Sequence, residues 1–138
     1  MKVKGRLGEV PILILLLDNG AAHNFVSPKL VHMLNLLVHT TMVMGVKLGD
    51  GHCVRTQGMC RQLSVMIGDF YCVGDAHVLD LGGLDFILGV AWLRTLGEVT
   101  TNWRAMTMRF HVVNQEYTLR GTSVISYDHL FRQASSTS

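Results

Sequence analysis

Charge is scarce in this 138-residue sequence, at 16% of positions, and it nearly cancels: 12 basic and 10 acidic residues leave a net charge of +2. So weak a field does not gather phosphates or anionic lipids, which sets nucleic-acid and membrane-surface partners aside. Long apolar runs are missing too. The longest, Val10 to Leu17, contains Pro11 and falls far short of the ~20 residues needed to cross a bilayer, so a soluble protein is expected. Lys2, Lys4 and Arg6 before that run and Gly20, Ala21 and Ala22 after it have the outline of a secretory signal. Against that reading, Glu9 and Asp18 bracket the run with acid, and the preceding segment already alternates like a strand. Cysteine stops at three, Cys53, Cys60 and Cys72, an odd number without paired metal-ligand spacing. Reduced thiols in a cytoplasmic setting fit that count, and a buried Cys60 is expected to be inert. The seven histidines, at 23, 32, 39, 52, 77, 111 and 129, form no His-Glu-x-x-His or Cys-His cluster, and they read as surface or capping residues. A glycine-rich phosphate loop is also lacking. Neither a metal nor an organic cofactor is expected.

What is present is apolar residue, 49% of the chain, enough for the core of one ordinary domain. Val3, Gly5 and Leu7 alternate with charged neighbours, Gly8-Glu9 supplies a turn, and Val10 to Leu17 reads as the buried second strand of a hairpin. Asp18-Asn19-Gly20 breaks that strand. Ser27-Pro28 has the chemistry of a helix N-cap and first turn, with Leu30, Val31 and Leu34 on one side. Short β-like pieces then surround Gly49-Asp50-Gly51, a hairpin tip. Phe70 to Val73 and His77 to Leu81 read as two strands, and Gly82-Gly83 separates them from a short buried strand, Phe86-Ile87-Leu88, ending at Gly89. Trp92 to Leu96 makes a helical turn stopped by Gly97, and Met106 to Val113 pairs with Tyr117 to Leu119 across Asn114-Gln115. Trp92 and Trp103 are expected in the core, and the eight methionines as fillers of its gaps. No repeat or linker divides the chain.

Asp18 is the unusual acid. A carboxylate where the wholly apolar strand Ile12 to Leu17 runs into a glycine turn is partly dehydrated, which raises its pKa unless it is compensated. By itself Asp-Asn-Gly is also an ordinary turn, in which the carboxylate accepts local backbone N–H groups. The wider pattern favours chemistry. Asp18-Asn19-Gly20-Ala21, with Leu15-Leu16-Leu17 before it and Ala22-His23-Asn24-Phe25-Val26 after it, resembles the Asp-Ser/Thr-Gly-Ala loop of retropepsin-like aspartic proteases. With Ser27-Pro28 and Leu30 included, the string is similar to the proteases of Ty3/gypsy-type retrotransposons, especially those of plants. Asp85-Phe86-Ile87-Leu88-Gly89 resembles the second signature, a strand passing behind the catalytic loop, and Trp92 to Gly97, Asn102-Trp103 and Leu119-Arg120-Gly121 continue the likeness.

This resemblance spans Val3 to Gly121 and implies a retropepsin-like domain over 1–121, with 122–138 a partly flexible C-terminal extension. The implied fold is all-β, with one or two short helices, in an acid-protease barrel with one lobe per chain. It further implies Asp18 as the catalytic residue, Asn19, Gly20 and Ala21 as the active-site loop, Gly49, Asp50 and Gly51 as a flap, and Ile87, Leu88 and Gly89 as support of the loop. With one acid loop per chain, a dyad requires a homodimer whose axis passes between two Asp18 side chains. Such a pair shares one proton: the ionised member activates water and the protonated member polarises the scissile carbonyl of an extended peptide or polyprotein. The chain departs from the family pattern at Asn19, where Ser or Thr is usual, and at Ala22, Ala91 and Asn102. Asn19 bears on activity most, because the family's hydroxyl joins a hydrogen-bond network across the axis. A dimeric domain that binds peptides without cutting them is the alternative implied by these departures.

Overall fold

The computed structural model describes residues 1–16, 23–47 and 53–122. Among these residues eleven strands and two short helices follow one another as β1 (Lys2–Leu7), β2 (Val10–Leu16), β3 (Phe25–Val26), α1 (Pro28–Met33), β4 (Gly45–Lys47), β5 (Cys53–Arg55), β6 (Met59–Ile67), β7 (Phe70–Val78), β8 (Phe86–Leu88), α2 (Val90–Arg94), β9 (Val99–Asn102), β10 (Thr107–Val112) and β11 (Gln115–Arg120). Six of them close a barrel in the order β1-β2-β8-β3-β7-β6, while β9, β10 and β11 form a separate sheet and β4 and β5 a two-stranded hairpin. The mainly β architecture with two short helices is the expected one. Among the described residues no helix is long and apolar enough to cross a membrane.

Local chemistry explains the first third of the chain. Gly8, at φ 62°, turns β1 into β2, whose registers run from Lys2 opposite Leu15 to Leu7 opposite Val10. Gly5 sits where the barrel is tightest: a Cβ there would lie 2.5 Å from Ile14 Cδ1 and 2.6 Å from the Met66 carbonyl oxygen. Only glycine lets β1 lie this close to the β2 side chain and the β6 backbone. Helix α1 starts as its sequence requires, with Ser27 Oγ accepting the Leu30 N–H at 3.3 Å and Pro28 in the first turn. Leu30 is buried, and Val31 and Leu34 pack beside it against the barrel core.

Four expectations are corrected. Phe70 to Val78 is one continuous strand, and Leu79 to Leu81 lies beyond it. β7 runs on through Gly74, Asp75 and Ala76, and the irregularity falls in β6 instead, between Cys60 and Leu63, where Gln62 has φ 53°. Asp75 stabilises that bulge: its Oδ1 accepts the Gln62 N–H at 2.8 Å. The turn between β10 and β11 is Val113-Asn114, one residue earlier than Asn114-Gln115, since Val112 pairs with Gln115 and both turn residues have positive φ. Trp92 is buried, but Trp103 is 55% exposed. It stands in the tight connection between β9 and β10, where Asn102 Oδ1 accepts the Ala105 N–H at 2.9 Å. Finally, Met108 fills the core, whereas Met33 and Met42 face solvent.

Two apolar clusters result from strict alternation along the central strands. Ile14, Leu16, Val26, Phe86 and Leu88 point into the barrel. Leu15, Phe25 and Ile87, which are cross-strand neighbours, point the other way and meet Val46 of β4, with Val54 of β5 packed against them. Burial of Val46 therefore seats the β4–β5 hairpin on the outer face of the β2-β8-β3 triplet.

Candidate active site

Asp18, Asn19, Gly20 and Ala21 lie outside the described residues, as do Gly49, Asp50 and Gly51, so the geometry available is that of the frame around them. That frame is specific. Strands β2 and β3 are close in sequence but not adjacent in the barrel, because β8 is inserted between them, parallel to β2 and antiparallel to β3. Leu16 at the end of β2 pairs with Leu88 at the end of β8, and Phe25 at the start of β3 pairs with Ile87. The chain from 17 to 22 therefore leaves and re-enters the sheet at the end of β8 marked by Gly89.

Ile87, Leu88 and Gly89, predicted as supports, are buried in that position. Two side chains whose roles are not evident in the sequence fasten the frame. Asn24 Oδ1 accepts the Gly89 N–H at 2.9 Å, while its Nδ2 donates to the Asp75 carbonyl at 3.0 Å, so one amide ties β8 and β7 to the residue preceding β3. Asp85 acts on the other flank: its Oδ2 accepts the Leu13 N–H at 3.0 Å and its backbone carbonyl accepts the Ser27 N–H at 3.0 Å. The available sequence signal was a lone amide, Asn24, at the entry to an apolar strand. Its partners are distant in sequence, 65 positions away for Gly89.

The β4–β5 hairpin is present, with Gly45 opposite Arg55 and Lys47 opposite Cys53, and the sequence between its two strands contains Gly49, Asp50 and Gly51. Its arms stand over the Leu15–Ile87–Phe25 face, beside the strand ends that bound residues 17–22. Among the described residues no group of three or more His, Cys, Asp or Glu side chains could hold a metal ion. Cys60 and Cys72 are buried free thiols, and burial pushes the Cys72 pKa up to about 11, which leaves it protonated and unreactive near neutrality. His77 departs from the expectation of a surface histidine. Its ring meets that of His23 edge-on at 5.0 Å, its buried Nδ1 has no hydrogen-bond partner among the described residues, and burial, reinforced by His23 and opposed by Asp75, lowers its pKa.

The family model described as retroviral aspartyl protease matches residues 8–113, which include all three strands of this frame and the hairpin. The chain belongs to the retroviral aspartyl protease family. Its fold is that of the crystallised retroviral protease-like domain of Ddi1 from Leishmania major, at a TM-score of 0.66 and 16% identity over 93% of this chain and 96% of that one. A retropepsin-like aspartic protease from Rickettsia conorii aligns at a TM-score of 0.46 with 20% identity, over 73% and 75% of the two chains. No curated protein matches. The segment predicted to carry the acid loop of this family, at Asp18, joins the two outer strands of the β2-β8-β3 triplet.

Proposed function

We propose that this retropepsin-like domain is one subunit of an aspartic endopeptidase that processes a retroelement polyprotein, of Ty3/gypsy type, inside the cell. Asp18 from each of two copies forms the dyad, residues 1–121 make up the working domain, and 122–138 extend from it. The reading rests chiefly on the strand order: β8 lies between β2 and β3 and ends in buried Gly89, so both ends of the segment carrying Asp18, Asn19, Gly20 and Ala21 are anchored to one rigid triplet. Retropepsin-like domains typically dimerise, and the one acid loop in this sequence then takes its counterpart from a second copy. In the dimer the two carboxylates titrate as a unit: one draws a proton from the attacking water, and the other donates a hydrogen bond to the scissile carbonyl. The hairpin tip at Gly49, Asp50 and Gly51 closes over an extended substrate and excludes water.

The test is cleavage of an apolar-rich peptide at mildly acid pH, blocked by a statine-type transition-state mimic and abolished by Asp18→Ala. Unchanged turnover in that variant would end the assignment. Asn19, in place of Ser or Thr, favours a second reading, a dimer that retains peptides without cutting them. Asn19→Ser separates the two: the protease reading expects greater turnover, and the binding reading expects retention with no product.

A further inference from the structure

From Phe70 to Gly74 the outer edge of β7 has no strand beside it among the described residues, and it borders a groove. Backbone groups alternate between the two edges of a strand. In β7 the even-numbered residues face β6, as shown by the Val78 N–H donating to the Gly58 carbonyl. The odd-numbered ones face away from it: the His77 N–H donates to the Asn24 carbonyl, and the Asp75 carbonyl accepts from Asn24 Nδ2. Strand β3 pairs with β7 only at His77 and Val78. The N–H and C=O groups of Tyr71 and Val73 consequently point outward, with no partner among the described residues. Natural edges are usually guarded by lysine, proline or charge. Phe70 to Gly74 has none of these, and the Tyr71 and Val73 side chains are 56% and 51% exposed.

Beside this edge runs a groove of about 610 Å³, lined also by Trp92, Leu96 and Val112 and by His23 and Asn24. That volume falls within the ~300–1,000 Å³ usual for ligand sites. We infer that this groove takes an extended polypeptide, which adds to β7 as a further strand through the backbone of Tyr71 and Val73, and that the occupant is substrate chain distant from the scissile bond. An unpaired strand edge recognises extended backbone rather than a helix or a small molecule. Continuity of the chain argues for substrate: His23 and Asn24, which line the groove, directly follow the segment that carries Asp18. The assignment to substrate rests on the proposed protease function; strand addition itself does not.

The test uses β-casein, an extended apolar-rich protein, as the probe. Val73→Pro removes the outward N–H without touching a β6 ladder bond, because Val73 and Ser64 form a non-hydrogen-bonded pair. Val73→Lys guards the same edge and serves if the proline variant does not fold. Binding of labelled casein to the Asp18→Asn chain, which needs no turnover, is expected to weaken by about ten-fold or more in either variant, through the lost N–H in the proline variant and through the charge set on the strand edge in the lysine variant. In the wild-type chain the Val73 amide should exchange more slowly with solvent when casein is bound. KM for casein should rise at constant kcat, while a short peptide spanning a casein cleavage site is cut as before. Casein binding unchanged by both variants, or no binding to the parent chain, overturns the inference. Loss of binding in the variants without any cleavage by the wild type would instead leave the groove standing and remove the protease reading.

Discussion

Asn24→Ala removes two hydrogen bonds that hold the frame of the proposed active site. Oδ1 accepts from the N–H of buried Gly89 at 2.9 Å, and a buried donor left without a partner costs roughly 1–3 kcal/mol. The second bond, from Nδ2 to the Asp75 carbonyl at 3.0 Å, is exposed, so water replaces it and its loss costs only about 0.5 kcal/mol. The sum is about 2 kcal/mol, which for a domain of this size lowers the melting temperature by roughly 6–12 °C. Thermal and urea unfolding followed by circular dichroism measure it. Asn24→Asp keeps the acceptor for Gly89 and loses only the exposed donor, so it should cost about a quarter as much. The same ranking should appear in turnover, since Gly89 terminates the strand between the two ends of residues 17–22. If Asn24→Ala shifts stability by less than about 0.5 kcal/mol, the amide is not fastening these strands and the reasoning fails.

Asp85→Ala should lower stability by roughly 1–3 kcal/mol in urea titrations, because the Leu13 N–H loses a charged acceptor in a part-buried position. Val113→Asn should raise it by about 1 kcal/mol: a β-branched residue at φ 48° is strained, asparagine tolerates the left-handed region, and Val113 is almost fully exposed. The pH dependence follows from His77, whose folded pKa is depressed below 6.5 by burial and by His23. The unfolded chain then binds more protons as pH falls through 6.5, so stability declines in that window, and His77→Gln should flatten the decline in urea midpoints measured between pH 7 and 5. An unaltered slope would show that another group carries it.

Where a signal is local, the sequence was legible. The β1–β2 hairpin declares itself through alternation and Gly8, α1 through Ser27 and Pro28, and β8 through three apolar residues before a glycine. The family's second signature supplied a strand behind the acid loop, and its pairing with β2 across some seventy positions is what the structure adds. What escaped was whatever depends on distant partners. Phe70 to Val73 and His77 to Leu81 look like two strands until the bulge at Gln62 uses the Asp75 carboxylate that lies between them. Asn24 looks like any loop amide until Gly89 arrives beside it. Trp103 looks like core until the Asn102 turn carries it into solvent. The open edge of β7 also depends on how far β3 extends alongside it, and that is only two residues.

Subunit mixing tests the central claim most directly. Cleavage is measured as wild-type chain is replaced by Asp18→Ala chain at constant total concentration, after the subunits have exchanged. If each working site needs Asp18 from both copies, activity falls as the square of the wild-type fraction, to about a quarter at equal proportions. A linear fall, to about half, would mean that one carboxylate suffices and would contradict the shared-proton dyad.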